Sequence, residues 1–320
     1  MSHNYTASPV ELTPYPIPDD GDNVDAASVN PAFEALGDAI LYGSGVPGIA
    51  AVGGRLTLSS FLPIPSLDVA SGSTLYWTPY SGGMIAIWDG TAWRTRLSDE
   101  VSLALSGMTS GKNYDVYAYW TGSALALELG PAWSTDTARS DSFFRQDGVY
   151  LRGTNHTRRY VGTIRATGAT TTQDSKAKRF VWNHYNRVPR KLYAAGADTT
   201  WTYNATTIRQ ANSNTANKVE FVVGDYSPSE GAIEAPWGYS STQTVYEPGI
   251  GLDTTTFFSG VNAVARPSST SEILIAHSYY EEVQSYGYHY LSWNERVLSA
   301  DAVTVYGGPS GGHLHGKVWG

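Results

Sequence analysis

Two histidines near the end of the sequence have a spacing that suits metal binding. His313 and His315 lie in the segment GGHLHG, residues 311–316. On a β-strand, residues i and i+2 point to the same side, so both imidazoles would face one partner. Copies of this pair around a threefold axis would supply nitrogen donors for an octahedral transition-metal site. The alternative is that both are surface or interface histidines that bind no metal. Apart from this possible metal ion, the sequence predicts no cofactor.

Acidic residues offer a second kind of chemistry. Glycoside hydrolysis uses two carboxylates, separated by about 5 to 10 Å across the sugar. The C-terminal part contains Glu247, Glu281, Glu282, Glu295 and Asp301. No motif singles out a pair among the 29 acidic residues, and the chain has no cysteine to act as a thiol nucleophile or thiolate ligand. We therefore predict that the protein is not an enzyme.

Aromatic residues of the C-terminal part indicate a binding surface. Trp237, Tyr239 and Tyr246 lie in segments rich in glycine, proline and serine, as do Tyr279 and Tyr280. Rings that keep a polar tip can face sugars or proteins at low entropic cost. We predict that these five side chains form a glycan-binding surface; the alternative is that half or more of them belong to the core.

Composition limits the class of protein. The 320 residues include 22 Tyr, 10 Trp and 33 Gly, and only 16% are charged. This profile is typical of β-rich extracellular or virion proteins. The net charge of −8 opposes nucleic acid as a partner, although a basic segment surrounds Trp182. The first 22 residues lack the basic and apolar regions of a secretory signal, so we expect none there, and no apolar stretch approaches the ~20 residues of a membrane span.

The segment of residues 74–97 carries the clearest signal for secondary structure. Aromatic and β-branched runs flank Asp89-Gly90, a pair typical of type I′ hairpin turns, whose central residues need positive φ. A second hairpin is predicted around Thr121-Gly122, with Leu125 and Leu127 on one face. Residues 167–178 are polar and predict an exposed loop. The class predicted from these patterns is antiparallel β.

Three segments carry a resemblance to a known family. They are LYWTPYSGGMIAIWDGTAW (75–93), LSGMTSGKNYDVYAYW (105–120) and TRRYVGTIRATGATTTQDSKAKRFVWNHYNRVPRKL (157–192). Together they resemble a recurring segment of tailed-bacteriophage virion proteins, the tail-fibre, head-fibre or minor structural proteins. The resemblance covers roughly residues 55–192, and extends less securely to GYHYLSWNERV (287–297). It implies a virion fibre or spike, often trimeric, and transfers no catalytic residue.

Residues 1–50 are predicted to form an extended arm followed by one short helix. Asn30 is a suitable N-cap and Pro31 suits the first helical position. An apolar stripe then recurs at helical spacing, formed by Phe33, Leu36, Ile40 and Leu41. A helix this short needs a packing partner. We expect it to anchor the chain to other virion proteins, the alternative being an ordinary core helix.

The remaining chain is predicted to be mainly β, in two antiparallel β-sandwich domains. The first covers residues 51–192. The second covers residues 193–320, where seven or eight predicted strands suggest a jelly-roll-like arrangement.

These observations and the resemblance together predict a structural and adhesive protein of a tailed phage or phage-like particle. We expect a homotrimeric fibre or spike, assembled in the host cytoplasm and located in the virion. Its distal β domain would bind host surface polysaccharide, with avidity from repeated weak sites. The alternatives are a virion-bound polysaccharide hydrolase and a ligand-free decoration or collar protein.

Overall fold

The computed structural model describes residue 49 and residues 51–239, 244–264, 266–269, 272–299 and 301–320. This part of the chain is mainly β, with a 3-10 turn at Ala211–Ser213 and no α-helix, which confirms the predicted class. Within it, no helix is long and apolar enough to cross a membrane. The predicted helix, with Phe33, Leu36, Ile40 and Leu41, lies outside the described residues.

The strands are numbered in chain order. They are β1 (Gly54–Thr57), β2 (Val69–Gly72), β3 (Thr74–Pro79), β4 (Met84–Trp88), β5 (Trp93–Leu97), β6 (Val101–Ala104), β7 (Asn113–Trp120), β8 (Leu125–Ala132), β9 (Phe143–Gln146), β10 (Val149–Arg152), β11 (Asn155–Arg165), β12 (Thr172–Asp174), β13 (Lys178–Arg179), β14 (Val181–Asn183), β15 (Pro189–Tyr203), β16 (Arg209–Gln210), β17 (Lys218–Val223), β18 (Ser227–Tyr239), β19 (Tyr246–Leu252), β20 (Val261–Ala263), β21 (Leu274–Gln284), β22 (Gly287–Val297) and β23 (Val303–Trp319).

These strands form five sheets in the described residues. Two of them are small, β1-β3-β6 and β4-β5. A six-stranded sheet has the order β8-β7-β11-β10-β9, with β14 also paired to β11. A seven-stranded sheet has the order β16-β22-β17-β13-β12-β2, with β19 also on β22, and a five-stranded sheet has the order β15-β23-β18-β21-β20. The pairing of β13 with β17 is parallel, whereas the other strand pairs of these sheets are antiparallel.

Both predicted hairpins are confirmed. β4 pairs with β5 from Met84–Leu97 to Trp88–Trp93, and β7 pairs with β8. The glycines at the two turns, Gly90 and Gly122, have φ of 105° and 106°. The first turn differs from type I′ because Asp89 is not in the positive-φ region; its carboxylate instead accepts hydrogen bonds from the backbone of Thr91 and Ala92. An Asx-type turn therefore closes this hairpin.

Residues 49–320 form one compact unit. One hydrophobic cluster is built mostly from strands after residue 189, and includes Tyr117, Tyr160 and Trp182 from earlier strands. A second cluster is built from residues 52–181. The predicted domain boundary between residues 192 and 193 falls inside β15. The seven-stranded sheet contains strands from both sides of that position.

The segment predicted as a polar loop, residues 167–178, contains β12, so this part of the prediction is wrong. Thr172 and Asp174 are buried there, and β12 pairs with β2 and β13. Asp174 accepts hydrogen bonds from Arg179 at 2.8 Å and from Arg190 at 2.9 Å. Residues 172–174 have no apolar periodicity, but they can form a buried strand because the Asp174 carboxylate is paired with two arginines inside the fold.

Candidate functional site

A cleft lies where two hairpins end beside each other. Trp88 is the last residue of β4 and Trp120 is the last residue of β7, so each ring sits directly before a turn. The space between them has a volume of about 220 Å³. Besides these two tryptophans, its lining includes Asp89, Arg94, Arg96 and Thr157. Both indole rings are partly exposed, so they combine apolar area with access from solvent.

Charged side chains line this tryptophan cleft. The Asp89 carboxylate accepts a hydrogen bond from Arg94 at 3.1 Å and bonds from Thr91 and Ala92 at 2.8 Å. Desolvation raises the pKa of Asp89, but the hydrogen bonds from Ala92 and Thr91 outweigh it and hold that pKa well below its ordinary value. Asp89 therefore remains an ionised acceptor at neutral pH.

Each of the two tryptophans contacts a further side chain of the protein. The Arg96 guanidinium lies 4.5 Å from the centre of the Trp120 ring. Trp88 contacts Trp93 with 5.6 Å between ring centres, and the Trp93 indole donates a hydrogen bond to Asp147 at 2.9 Å. Such cation–π and tilted aromatic contacts restrict ring orientation before any ligand arrives. The cleft thus offers two oriented aromatic rings with donors and acceptors beside them.

The residues predicted to bind glycans lie elsewhere and are not brought together at the surface. Trp237 and Tyr246 are fully buried and Tyr280 is 3% exposed, whereas Tyr279 is 47% exposed. Tyr239 is also buried, with its ring centre 5.4 Å from that of Trp237. These positions differ from the prediction because Pro236 and Gly238, part of a segment rich in glycine, proline and serine, lie inside strand β18. Of the five, only Tyr279 presents a ring to solvent.

His313 and His315 lie on β23, in the interior of the five-stranded sheet. Their ring centres are 5.1 Å apart, and both side chains are on the same side of the sheet, as predicted from their spacing. His313 Nε2 is 3.8 Å from Glu234 of the neighbouring strand β18. The structure therefore brings the pair together and adds a carboxylate that was not considered from sequence.

Two of the acidic residues considered for hydrolysis, Glu295 and Glu247, are paired with other side chains of the fold. Glu295 is fully buried, where it accepts hydrogen bonds from Arg209, Trp201 and Tyr246. Glu247 is paired with Arg296. Residues 308–312 have the pattern Gly-x-Ser-x-Gly, which in some hydrolases contains the nucleophilic serine. Here the pattern lies within β23 and not at the strand-to-helix turn that such nucleophiles require.

Comparison with known proteins does not assign the chain to a family. No family model matches it, and no curated protein does. Similar solved structures include two insecticidal toxins from Bacillus thuringiensis. The delta-endotoxin Cry8Ea1 shares 6% identity over 83% of this chain and 51% of that chain, with a TM-score of 0.24. The mosquito-larvicidal Cry4Aa shares 8% identity over 77% and 49%, with a TM-score of 0.21.

A structure of infectious bursal disease virus, Gx strain, shares 9% identity over 83% of this chain and 74% of that chain, with a TM-score of 0.17. The chain thus spans about half the length of the two toxin chains and more of the viral one. TM-scores this low carry no argument about the fold or function of the protein.

Proposed function

We propose that the protein is a saccharide-binding structural component of a phage or phage-like particle, and that the tryptophan cleft is its sugar site. The observation that carries the binding part is the position of Trp88 and Trp120 at adjacent hairpin ends, with Asp89, Arg94 and Arg96 around the space between them. Apolar faces of a sugar ring pack on indole rings, while its hydroxyl groups need fixed donors and acceptors. The cleft supplies both.

The virion part of the proposal rests on the three segments that resemble phage fibre and minor structural proteins, and on the aromatic, cysteine-free, acidic composition. We propose a homotrimer, attached to other virion proteins by residues 1–50 and located in the virion. A trimer would present three copies of a shallow, weak site, and avidity would then replace tight individual contacts. The ligand class is host surface polysaccharide. No catalytic group is required.

The proposed arrangement of residues 193–320 is a jelly-roll-like sandwich, formed by the five-stranded sheet and by the strands of the seven-stranded sheet that follow residue 193, which are β16, β17, β19 and β22. Side chains from both sheets belong to one hydrophobic cluster, among them Ile233 and Leu314 from the former and Phe221 and Leu291 from the latter. A Cβ at Gly231 on β18 would meet the Leu291 side chain at 2.8 Å, which indicates close packing of the two sheets there. The proposed sandwich for residues 51–192 rests on the second cluster.

Replacing a cleft tryptophan tests the sugar site. We expect Trp88→Ala and Trp120→Ala each to weaken polysaccharide binding at least tenfold, about 1.4 kcal/mol, because a central aromatic contact is lost. The measurement is binding of the purified chain to immobilised host polysaccharides, with unfolding curves to show that the variants remain folded.

Tyr279→Ala is the matched control, since Tyr279 is an exposed aromatic residue far along the chain, on β21. It should leave binding unchanged. Loss of binding in Tyr279→Ala but not in the tryptophan variants would move the site to the five-stranded sheet. Release of reducing ends from the polysaccharide would instead indicate a hydrolase. Failure to bind any host polysaccharide would favour a ligand-free decoration protein.

A further inference from the structure

The exposed side of β23 places metal-binding residue types next to one another. His313 and His315 point to this side, and Glu234 on the adjacent strand β18 is directly opposite His313 in the register. Ala232 is opposite His315, so no large side chain separates the two imidazoles from the carboxylate. Two ligands at i and i+2 on one strand, with a third on the neighbouring antiparallel strand, place three donors at the corners of a small triangle.

The observed distances agree with such a site. The rings of His313 and His315 are 5.1 Å apart between centres. Two imidazoles on one tetrahedral ion, with metal–nitrogen bonds of about 2.0–2.1 Å, have ring centres about 5 Å apart. Glu234 Oε2 is 3.8 Å from His313 Nε2, and the Glu234 side chain is 49% exposed, so it is able to rotate towards both rings.

The nitrogen atoms are also in a suitable state. His313 Nδ1 is 3.3 Å from the carbonyl oxygen of Gly311, a contact that favours a proton on Nδ1 and leaves the Nε2 lone pair for a metal. Within the described residues, the buried Nδ1 atom of His315 has no hydrogen-bond partner, so no protein group competes for this imidazole through that atom.

We propose that His313, His315 and Glu234 of a single chain bind one divalent first-row transition ion, of which Zn²⁺ is the representative. In the described part of the chain, no three such side chains converge within metal-binding distance in their present rotamers, so binding includes reorientation of Glu234. The remaining coordination position is open to water. This site differs from the octahedral threefold-axis site predicted from sequence, because it is completed within one chain. It does not depend on the proposed sugar site.

Titration of the purified full chain with Zn²⁺ by calorimetry tests the proposal. We expect one ion per chain, and at least tenfold weaker binding in each of His313→Gln, His315→Gln and Glu234→Gln. Titration with Co²⁺ gives a second readout, since a tetrahedral site produces visible absorption. His156→Gln is the matched control, because it removes an exposed histidine that stacks on Phe144 in a different sheet, and it should bind as the natural chain does.

Several results would overturn this assignment. One is the absence of Zn²⁺ binding; another is unchanged affinity in Glu234→Gln, a half-exposed position whose replacement should leave the fold intact. A ratio of one ion per three chains would indicate a shared axial site instead. Loss of binding in His156→Gln would place the ion elsewhere.

Discussion

Asp174→Ala is expected to lower the free energy of unfolding by about 3–5 kcal/mol. The carboxylate is 5% exposed, and it pairs with Arg179 and Arg190, each 8% exposed. Removing it leaves two guanidinium groups in the interior without their counter-charge. Among the described residues, Arg179 then keeps its hydrogen bond to the Lys191 carbonyl, and Arg190 keeps a long one of 3.4 Å to the Pro65 carbonyl. Denaturant unfolding of the natural chain and of Asp174→Ala measures the difference in the free energy of unfolding.

The matched control for this variant is Asp136→Ala, which removes another aspartate paired to an arginine. Asp136 contacts Arg165 at 2.8 Å, but its side chain is 50% exposed. Water replaces the carboxylate there, so we expect a loss of at most about 1 kcal/mol. Equal, small losses in the two variants would show that the Asp174 pairs contribute no more than surface ion pairs do.

Acidification from pH 6.5 to pH 4 is expected to cost about 3 kcal/mol of unfolding free energy through His184 alone. Its side chain is 14% exposed, between the rings of Tyr150, Tyr160 and Tyr185. Burial lowers the pKa of His184 to about 4, whereas its ordinary value is 6.5. Between pH 4 and pH 6.5, the unfolded chain binds a proton at His184 that the folded chain does not bind. The contribution of the neutral His184 side chain to the free energy of unfolding is therefore fully present well above pH 6.5 and decreases as the pH is lowered.

The replacement His184→Phe isolates this contribution. Phenylalanine keeps a ring in the aromatic cluster, and among the described residues His184 Nδ1 has no hydrogen-bond partner to lose, since Asp225 is 3.9 Å away. We expect unfolding free energies of this variant, measured by denaturant at several pH values, to be nearly constant over the same interval. His156→Gln, which replaces an exposed histidine, should keep the dependence of the natural chain. A dependence that persists in His184→Phe would assign it to other groups.

Local sequence signals predicted the hairpins because a turn and its flanking strands are adjacent in the chain. Asp89-Gly90 and Thr121-Gly122 need no distant partner to be recognised. β12 was missed because Asp174 is stabilised by Arg190, a residue that the fold alone brings close. The burial of Trp237 was missed for a similar reason: Pro236 and Gly238 normally interrupt strands, but here packing between sheets outweighs their local preference.

The candidate site illustrates the same limit. A signal for the tryptophan cleft was present in the sequence, since Trp88 and Trp120 each directly precede a predicted turn. No local sequence pattern indicates that the turns after Trp88 and Trp120 lie side by side in the fold. In contrast, the common orientation of His313 and His315 follows from the strand period alone. The position of Glu234 opposite His313 depends on the register between β18 and β23.

The place of β23 in its sheet determines when that sheet can form. β23 lies between β15 and β18, and its pairing with β15 joins Pro189 to Trp319. During synthesis, β15, β18 and β21 therefore emerge from the ribosome well before the strand that separates the first two. Contacts this distant in sequence make folding slow, and they leave strand edges exposed to other chains in the meantime. A nascent chain that stalls before residue 303 would be prone to aggregate.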